Sequence, residues 1–95
     1  MLSVIAELVA KPGCEADLKT ELLRMVEATR LEEGCVQYDL HVDTDRPGNF
    51  IFYENWTSRE ALDRHAAAAH MQAFGAKSGE LLALPARILT CTRIV

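Results

Sequence analysis

Stretches of period-two hydrophobicity and stretches of helical period follow one another in the order β-α-β-β-α-β, which predicts an α+β fold. Two interleaved right-handed crossovers in that order make a split, ferredoxin-like sheet with both helices on one face. Composition agrees: 49% of the 95 residues are hydrophobic and 25% are charged, the balance of a globular chain, and one domain over residues 1–95 is expected. Strands one, three and four also carry apolar residues on the side the helices leave bare, among them Ile5, Val9, Ile51, Leu89 and Val95. A sheet face in water would alternate to polar residues there. A second sheet is therefore expected to cover it, supplied by another copy of the chain in a homodimer through the sheets.

Each element has its own signature. Leu2, Val4, Ala6 and Leu8 alternate with Ser3, Ile5, Glu7 and Val9, and Lys11-Pro12-Gly13 ends that strand with turn chemistry. From Cys14 the period lengthens: Cys14, Leu18, Leu22, Met25, Val26 and Thr29 recur at three- and four-residue steps. Acidic residues open this helix, in keeping with its dipole, and Gly34 is placed as its left-handed C-terminal cap. Next, Val36, Tyr38, Leu40 and Val42 alternate with Cys35, Gln37, Asp39 and His41. Thr44-Asp45-Arg46-Pro47-Gly48 is a turn by composition, and the third strand follows with Phe50, Phe52, Glu54 and Trp56 on one face. Thr57 or Ser58 caps a second helix, and Thr57 with Glu60 fits a capping box. That helix runs through Leu62 and His65, bends or breaks within Ala66–Ala69, resumes from His70 to Phe74 and loosens at Gly75 and Gly79. Ala86–Val95 reads as the last strand, with Ile88, Thr90, Thr92 and Ile94 opposite Leu89, Cys91, Arg93 and Val95.

Several functions are excluded by what the chain lacks. Its formal charge of -4, with scattered Lys and Arg, gives no basic patch for nucleic acid. No apolar run approaches the roughly 20 residues that cross a bilayer, and Met1–Leu8 has no basic flank or cleavage site of a signal peptide, so a cytosolic protein is expected. Cys14, Cys35 and Cys91 are odd in number and far apart, which suits neither a disulfide framework nor a zinc site. Glycine-rich phosphate loops, G-x-S-x-G and H-E-x-x-H are absent.

The chemistry gathers at residues 50–74. His65 stands at the edge of the helical stripe that packs on the sheet, and His70 follows after four alanines whose small side chains leave space around the imidazoles. Histidine is the side chain that titrates near neutrality, so either ring can serve as a base; either can equally be a helix-edge or capping residue. Glu54 lies in an aromatic row, where a carboxylate needs a partner or a raised pKa; His65, His70 or an arginine is the expected partner. Trp56 suits a core role, its N–H seeking an acceptor, and Tyr38 can offer a hydroxyl at the same corner. His41 is expected to face solvent. A spacing of five does not put His65 and His70 on one helical face, and with no third ligand in view no metal site is expected.

M-L-S-V-I-A-E-L-V-A-K-P-G, E-E-G-C-V-Q-Y-D-L-H, F-I-F-Y-E-N-W-T-S-R-E-A-L-D-R-H and H-M-Q-A-F, with the ordered series E-x-W…H…H-x-x-x-F, resemble the antibiotic biosynthesis monooxygenase domain family, nearest its small bacterial quinol monooxygenase-like members. The resemblance covers almost the whole chain. It implies a dimeric α/β-barrel of ferredoxin-like subunits, each with a pocket between helices and sheet. It also implies oxidation of a quinol-like or phenolic aromatic by O2 with no metal or flavin cofactor. On that reading His65 or His70 takes the phenolic proton, Trp56, Phe52 and Phe74 sandwich the ring, and Tyr38 or Glu54 orients a hydroxyl. Haem-degrading relatives would want an asparagine, a tryptophan and a histidine near Ala6, His65 and Gly75, and this chain lacks them. Two alternatives remain: an isomerase of a small, phosphorylated metabolite anchored by Arg87, Arg93 or Lys77, and a non-catalytic dimer that binds a small molecule.

Overall fold

A computed structural model describes residues 1–95. The elements are β1 (Leu2–Val9), α1 (Glu15–Thr29), β2 (Cys35–Val42), β3 (Asn49–Trp56), α2 (Arg59–Ala67), α3 (Ala69–Leu81) and β4 (Arg87–Cys91). The four strands form one antiparallel sheet in the order β2-β3-β1-β4, the ferredoxin-like arrangement predicted from the element order. No helix is long and apolar enough to cross a membrane.

The central pair β1 and β3 sets the registers that matter. Val4 lies opposite Glu54, Ala6 opposite Phe52 and Leu8 opposite Phe50, so these six point to the helical side, where five apolar side chains and one carboxyl are buried together. Leu18, Leu22, Met25 and Val26 of α1 cover this face, which is the apolar stripe read from the spacing. The opposite face is more mixed than the alternation suggested. An amide ladder crosses it, Ser3 Oγ donating to Asn55 Oδ1 at 2.6 Å, Asn55 Nδ2 to Gln37 Oε1 at 2.8 Å and Gln37 Nε2 to Asp39 Oδ2 at 2.8 Å. Beside it runs an exposed apolar row, Tyr53 paired with Ile5 and Ile5 with Leu89.

Five local expectations change. In β2 the register shifts between Cys35 and Gln37, so Cys35 pairs with Trp56 and packs on the core while Val36 turns out to solvent. Two residues then oppose one, which is how a bulge reverses the alternation. Gly34 has a φ of +88°, as a left-handed residue should, but α1 ends five residues earlier at Thr29, with Arg30 as a right-handed C-cap. Gly34 instead serves a close approach: its carbonyl accepts from Thr57 N–H at 2.9 Å, and an added Cβ would sit 2.5 Å from Ala61 Cβ. Ser58 caps α2 by accepting from Ala61 N–H at 3.1 Å, so the Thr57–Glu60 box does not set this helix start. The second helical segment is two helices divided at Ala68 (ψ 150°), within the alanine run as expected, but α3 continues through Gly75 and Gly79 to Leu81. The last strand stops at Cys91, leaving Ile94 and Val95 fully exposed.

Replacing Gly34 by alanine should destabilise the fold by about 3 kcal/mol, combining left-handed strain with overpacking against Ala61. Gly13→Ala has the same backbone strain (φ +89°) with open space around the new methyl and should cost only about 1 kcal/mol. Urea titration of the two variants measures the difference, and equal losses would show that the Gly34–Ala61 approach is not tight.

Candidate active site

Strand alternation puts Trp56 two residues beyond Glu54 on the same face, and the indole N–H closes the gap by donating to Glu54 Oε1 at 2.9 Å. Both residues are buried, Trp56 completely and Glu54 to 4% exposure. The predicted histidine or arginine partner is thus replaced by an indole two residues along the same strand. A neutral donor does not offset burial of a carboxylate, so the Glu54 pKa is pushed up from 4.5 to about 7, chiefly by desolvation; the Trp56 bond lowers it and the Glu32 charge raises it. Tyr38, across from Glu54 on β2, is 2% exposed, and burial followed by the Glu54 charge holds its phenol well above the ordinary value of 10.

Helix α2 brings His65 down onto this corner. Its ring lies 4.6 Å from the Trp56 ring and 5.5 Å, edge-on, from that of Tyr38. Its Nδ1 is 2.6 Å from Glu32 Oε2. A carboxylate can only accept, so Nδ1 carries the proton in this bond. Burial lowers the His65 pKa below 6.5, and the hydrogen bond and charge of Glu32 oppose that shift. Beyond the helix break, His70 Nε2 lies 3.1 Å from Thr29 Oγ1 and 3.5 Å from the same Glu32 oxygen. The two imidazole rings are 5.9 Å apart.

A cavity of about 890 Å³ opens beside these groups, between α2, α3 and the sheet. Tyr38, Phe52, Glu54, His65 and Phe74 border it; Trp56 and His70 do not. Trp56 is sealed beneath the wall, and His70 borders a separate recess of about 210 Å³ with Glu21, Arg24, Lys77, Met25, Ala73 and Phe74. Every polar side-chain atom sealed from solvent has a hydrogen-bond partner. His65 Nε2 and Glu54 Oε2 have none within the chain, so they are open, and the cavity is the space their side chains border. The wall is therefore largely apolar and includes an imidazole nitrogen and a carboxyl oxygen with no partner within the chain.

Glu32 and Thr29 were not found by sequence reasoning. Glu32 lies in the turn after α1, thirty-three residues before His65, and nothing in its local pattern distinguishes it from Glu33. Glu32, His65 and His70 place one donor atom each within 4.8 Å of one another, which supplies the third group that the histidine spacing lacked for a cation. Glu32 and His65 are within hydrogen-bond distance, as are His70 and Thr29, and the set is read as a hydrogen-bonded network.

The chain is thus an α+β protein whose ferredoxin-like sheet carries a largely apolar cavity under its helices and a buried His–carboxylate corner. The family model for antibiotic biosynthesis monooxygenase matches residues 1–77, and the chain belongs to that family. Rv0793 of Mycobacterium tuberculosis, which carries the provisional name of a monooxygenase, is 36% identical over 87 residues, 92% of this chain and 85% of the relative. YcnE of Bacillus subtilis, provisionally named in the same way, is 34% identical over 85 residues and 90% of each chain. The solved structure of Rv0793 superposes with a TM-score of 0.93 over 99% of this chain and 95% of that one, at 33% identity. PA3566 of Pseudomonas aeruginosa gives 0.93 over 99% and 94%, at 35% identity.

The raised Glu54 pKa has a thermodynamic consequence. The folded state holds this proton more tightly than the unfolded one between 4.5 and about 7, so its contribution to stability is full below 4.5 and is lost as pH rises through about 7. Glu54→Gln keeps an acceptor for Trp56 and removes the ionisation, so it should stabilise the protein at about pH 8 by on the order of 3 kcal/mol and leave it unchanged at about pH 4. His65 works in the opposite direction, costing stability as pH falls below 6.5. Thermal melts of both proteins across this range decide; an equal Glu54→Gln effect at both pH values would show that the carboxyl is not shifted.

Proposed function

We propose that the chain is a cofactor-independent monooxygenase that oxidises a phenolic or quinol-like aromatic with O2. Support comes first from the open His65 Nε2 and Glu54 Oε2 on the wall of a largely apolar cavity, and then from membership of the family. The aromatic ring packs against Phe52 and Phe74. His65 Nε2 accepts the phenolic proton, a role suited to an imidazole near neutral pKa. Tyr38, kept protonated by burial, and Glu54 in its neutral form donate to the oxygen as negative charge develops, in a site where water does not compete. Trp56 positions Glu54 instead of touching the substrate.

The phenolate passes one electron to O2, and the two radicals combine at a ring carbon bearing hydrogen to give a hydroperoxide. Formed as its anion, the peroxide takes up the proton that this carbon loses, the O–O bond breaks, and the departing hydroxide accepts the proton returned by His65 and leaves as water. A phenol and O2 become a quinone and water. All four electrons that reduce O2 come from the ring, so the balance needs no outside reductant. A dry apolar wall protects the radical pair from side reactions.

The working unit in this proposal is a homodimer in which the sheets pack face to face over the Tyr53–Ile5–Leu89 row. For the isomerase alternative, Lys77 pairs with Glu21, Arg93 bonds the Val95 carbonyl, and neither they nor Arg87 borders the cavity; the cations that do border it are Lys11, which donates to the Gly79 carbonyl, and Arg59.

Oxygen-electrode assays with reduced naphthoquinones and polycyclic phenols should show uptake above autoxidation, and His65→Ala should reduce it by about 100-fold while substrate affinity is kept. Equal uptake by the variant would exclude His65 as the base, and no uptake by the wild type would remove the monooxygenase reading for those substrates. Separately, Ile5→Glu places a charge in the middle of the apolar row and should convert a dimer into a monomer by light scattering, with the cavity's ligand affinity as the check on folding. A wild type that is itself monomeric would overturn the sheet-to-sheet assembly.

A further inference from the structure

We infer that Glu32 and His70 form, with His65, a proton relay that joins the cavity to the outer recess between α1 and α3. The inference rests on the reading of His65 as the cavity base. His65 faces the cavity with Nε2 and Glu32 with Nδ1, so protons can enter and leave the ring on opposite sides. The Glu32 oxygen that accepts from His65 at 2.6 Å is the oxygen that lies 3.5 Å from His70 Nε2. His70 in turn borders the recess, and Met25 and Phe74 line both spaces as the partition between them.

The Thr29 hydroxyl makes the far end switchable. When His70 Nε2 is bare, the hydroxyl 3.1 Å away donates to it; when Nε2 is protonated, that hydrogen is directed to Glu32 or Thr29 instead. Each transfer conserves protons. His65 Nε2 gains the substrate proton and Nδ1 yields its own to Glu32. Glu32 passes one to His70 Nε2, and His70 Nδ1 releases one to water in the recess. When the hydroperoxide loses water, the flow reverses and restores the starting tautomers. The result is that the positive charge spends the oxygen step away from the phenolate, which slows its reprotonation.

The groups that bear on His65 are Glu32 from the turn after α1, His70 from α3, and Tyr38 and Glu54 from the sheet; Glu21, Arg24 and Lys77 surround the outlet. Neither Glu32 nor His70 touches the cavity's contents, so both act through His65 as positioning and relay residues.

Two measurements separate this relay from a purely structural network. In His70→Ala, oxygen uptake should fall by roughly 10-fold with KM unchanged and should recover when free imidazole, small enough for the recess, is added. Loss without recovery would overturn the relay. The second measurement needs no activity: nitrogen-15 chemical shifts of the imidazoles across a pH titration should show His65 protonated on Nδ1 and titrating in step with His70. Glu32→Gln should uncouple the two titrations and lower the His65 pKa further. Independent titration of the two rings in the wild type would overturn the relay even if the protein proves to be a monooxygenase. Coupled rings in a protein that consumes no oxygen would leave the relay standing and remove only the oxidation chemistry.

Discussion

A fully buried indole is the piece around which the site is assembled. Trp56 has no polar exposure of its own to satisfy its N–H, so it takes the carboxyl that strand alternation places two residues away. That bond fixes Glu54 within an aromatic row, and the indole face then supports the His65 ring at 4.6 Å. Tyr38 meets both rings at steep angles and Phe52 at 4.7 Å, completing an aromatic floor with two ionisable groups in it. The same strand residue reaches the opposite edge of the corner as well, since Cys35 pairs with Trp56 only because β2 bulges at Val36. Sheet register, helix placement and the chemistry of the cavity wall therefore share one anchor.

Much of this was legible in the sequence because it is local. Period-two alternation put Phe50, Phe52, Glu54 and Trp56 on one face, and the alanine run between the histidines announced a weak point in the helix. The details that escaped are those that depend on contacts between distant segments. Five residues put His65 and His70 about 140° apart on a continuous helix, which argued against their meeting. The extended Ala68 resets that angle, and the rings come within 5.9 Å. Glu32 could not be picked out because its role exists only once the turn after α1 is folded against α2. Gly34 shows the same limit. Its left-handed backbone was foreseeable, but the requirement for glycine comes from Ala61, twenty-seven residues away, and from Thr57.

The outer face of the sheet also reads differently once its side chains are in place. Alternation put apolar residues of strands one, three and four on this side, and the structure divides the face between an amide ladder and the Tyr53–Ile5–Leu89 row. A ladder whose members already satisfy one another loses less on leaving water than unpaired amides would. Such a face can tolerate being covered while the apolar row supplies the drive, so the polar residues do not count against the proposed assembly. They also restrict it, because only a partner that leaves the ladder intact avoids breaking buried hydrogen bonds.

Burial shifts the two cavity-facing ionisable groups in opposite directions on the pH scale but in the same direction in charge. Glu54 is moved up to about 7 and so tends to keep its proton, while His65 is moved below 6.5 and tends to lose its own. Near neutrality these two groups consequently carry less charge than they would in water, in a wall whose other ionic members are Lys11, Arg59 and Asp63. In the proposed reaction a neutral hydroxyarene enters without a buried counter-charge, and charge separates only when its proton moves to His65. The acceptor of that proton then lies beside a carboxylate, Glu32, that is not part of the cavity wall and can compensate the new imidazolium. The division of labour between the two carboxyls follows from their partners. In the proposed reaction Glu54, bonded to a neutral indole and raised to about 7, is the donor, whereas Glu32, hydrogen-bonded to His65 and 3.5 Å from His70, is the counter-charge.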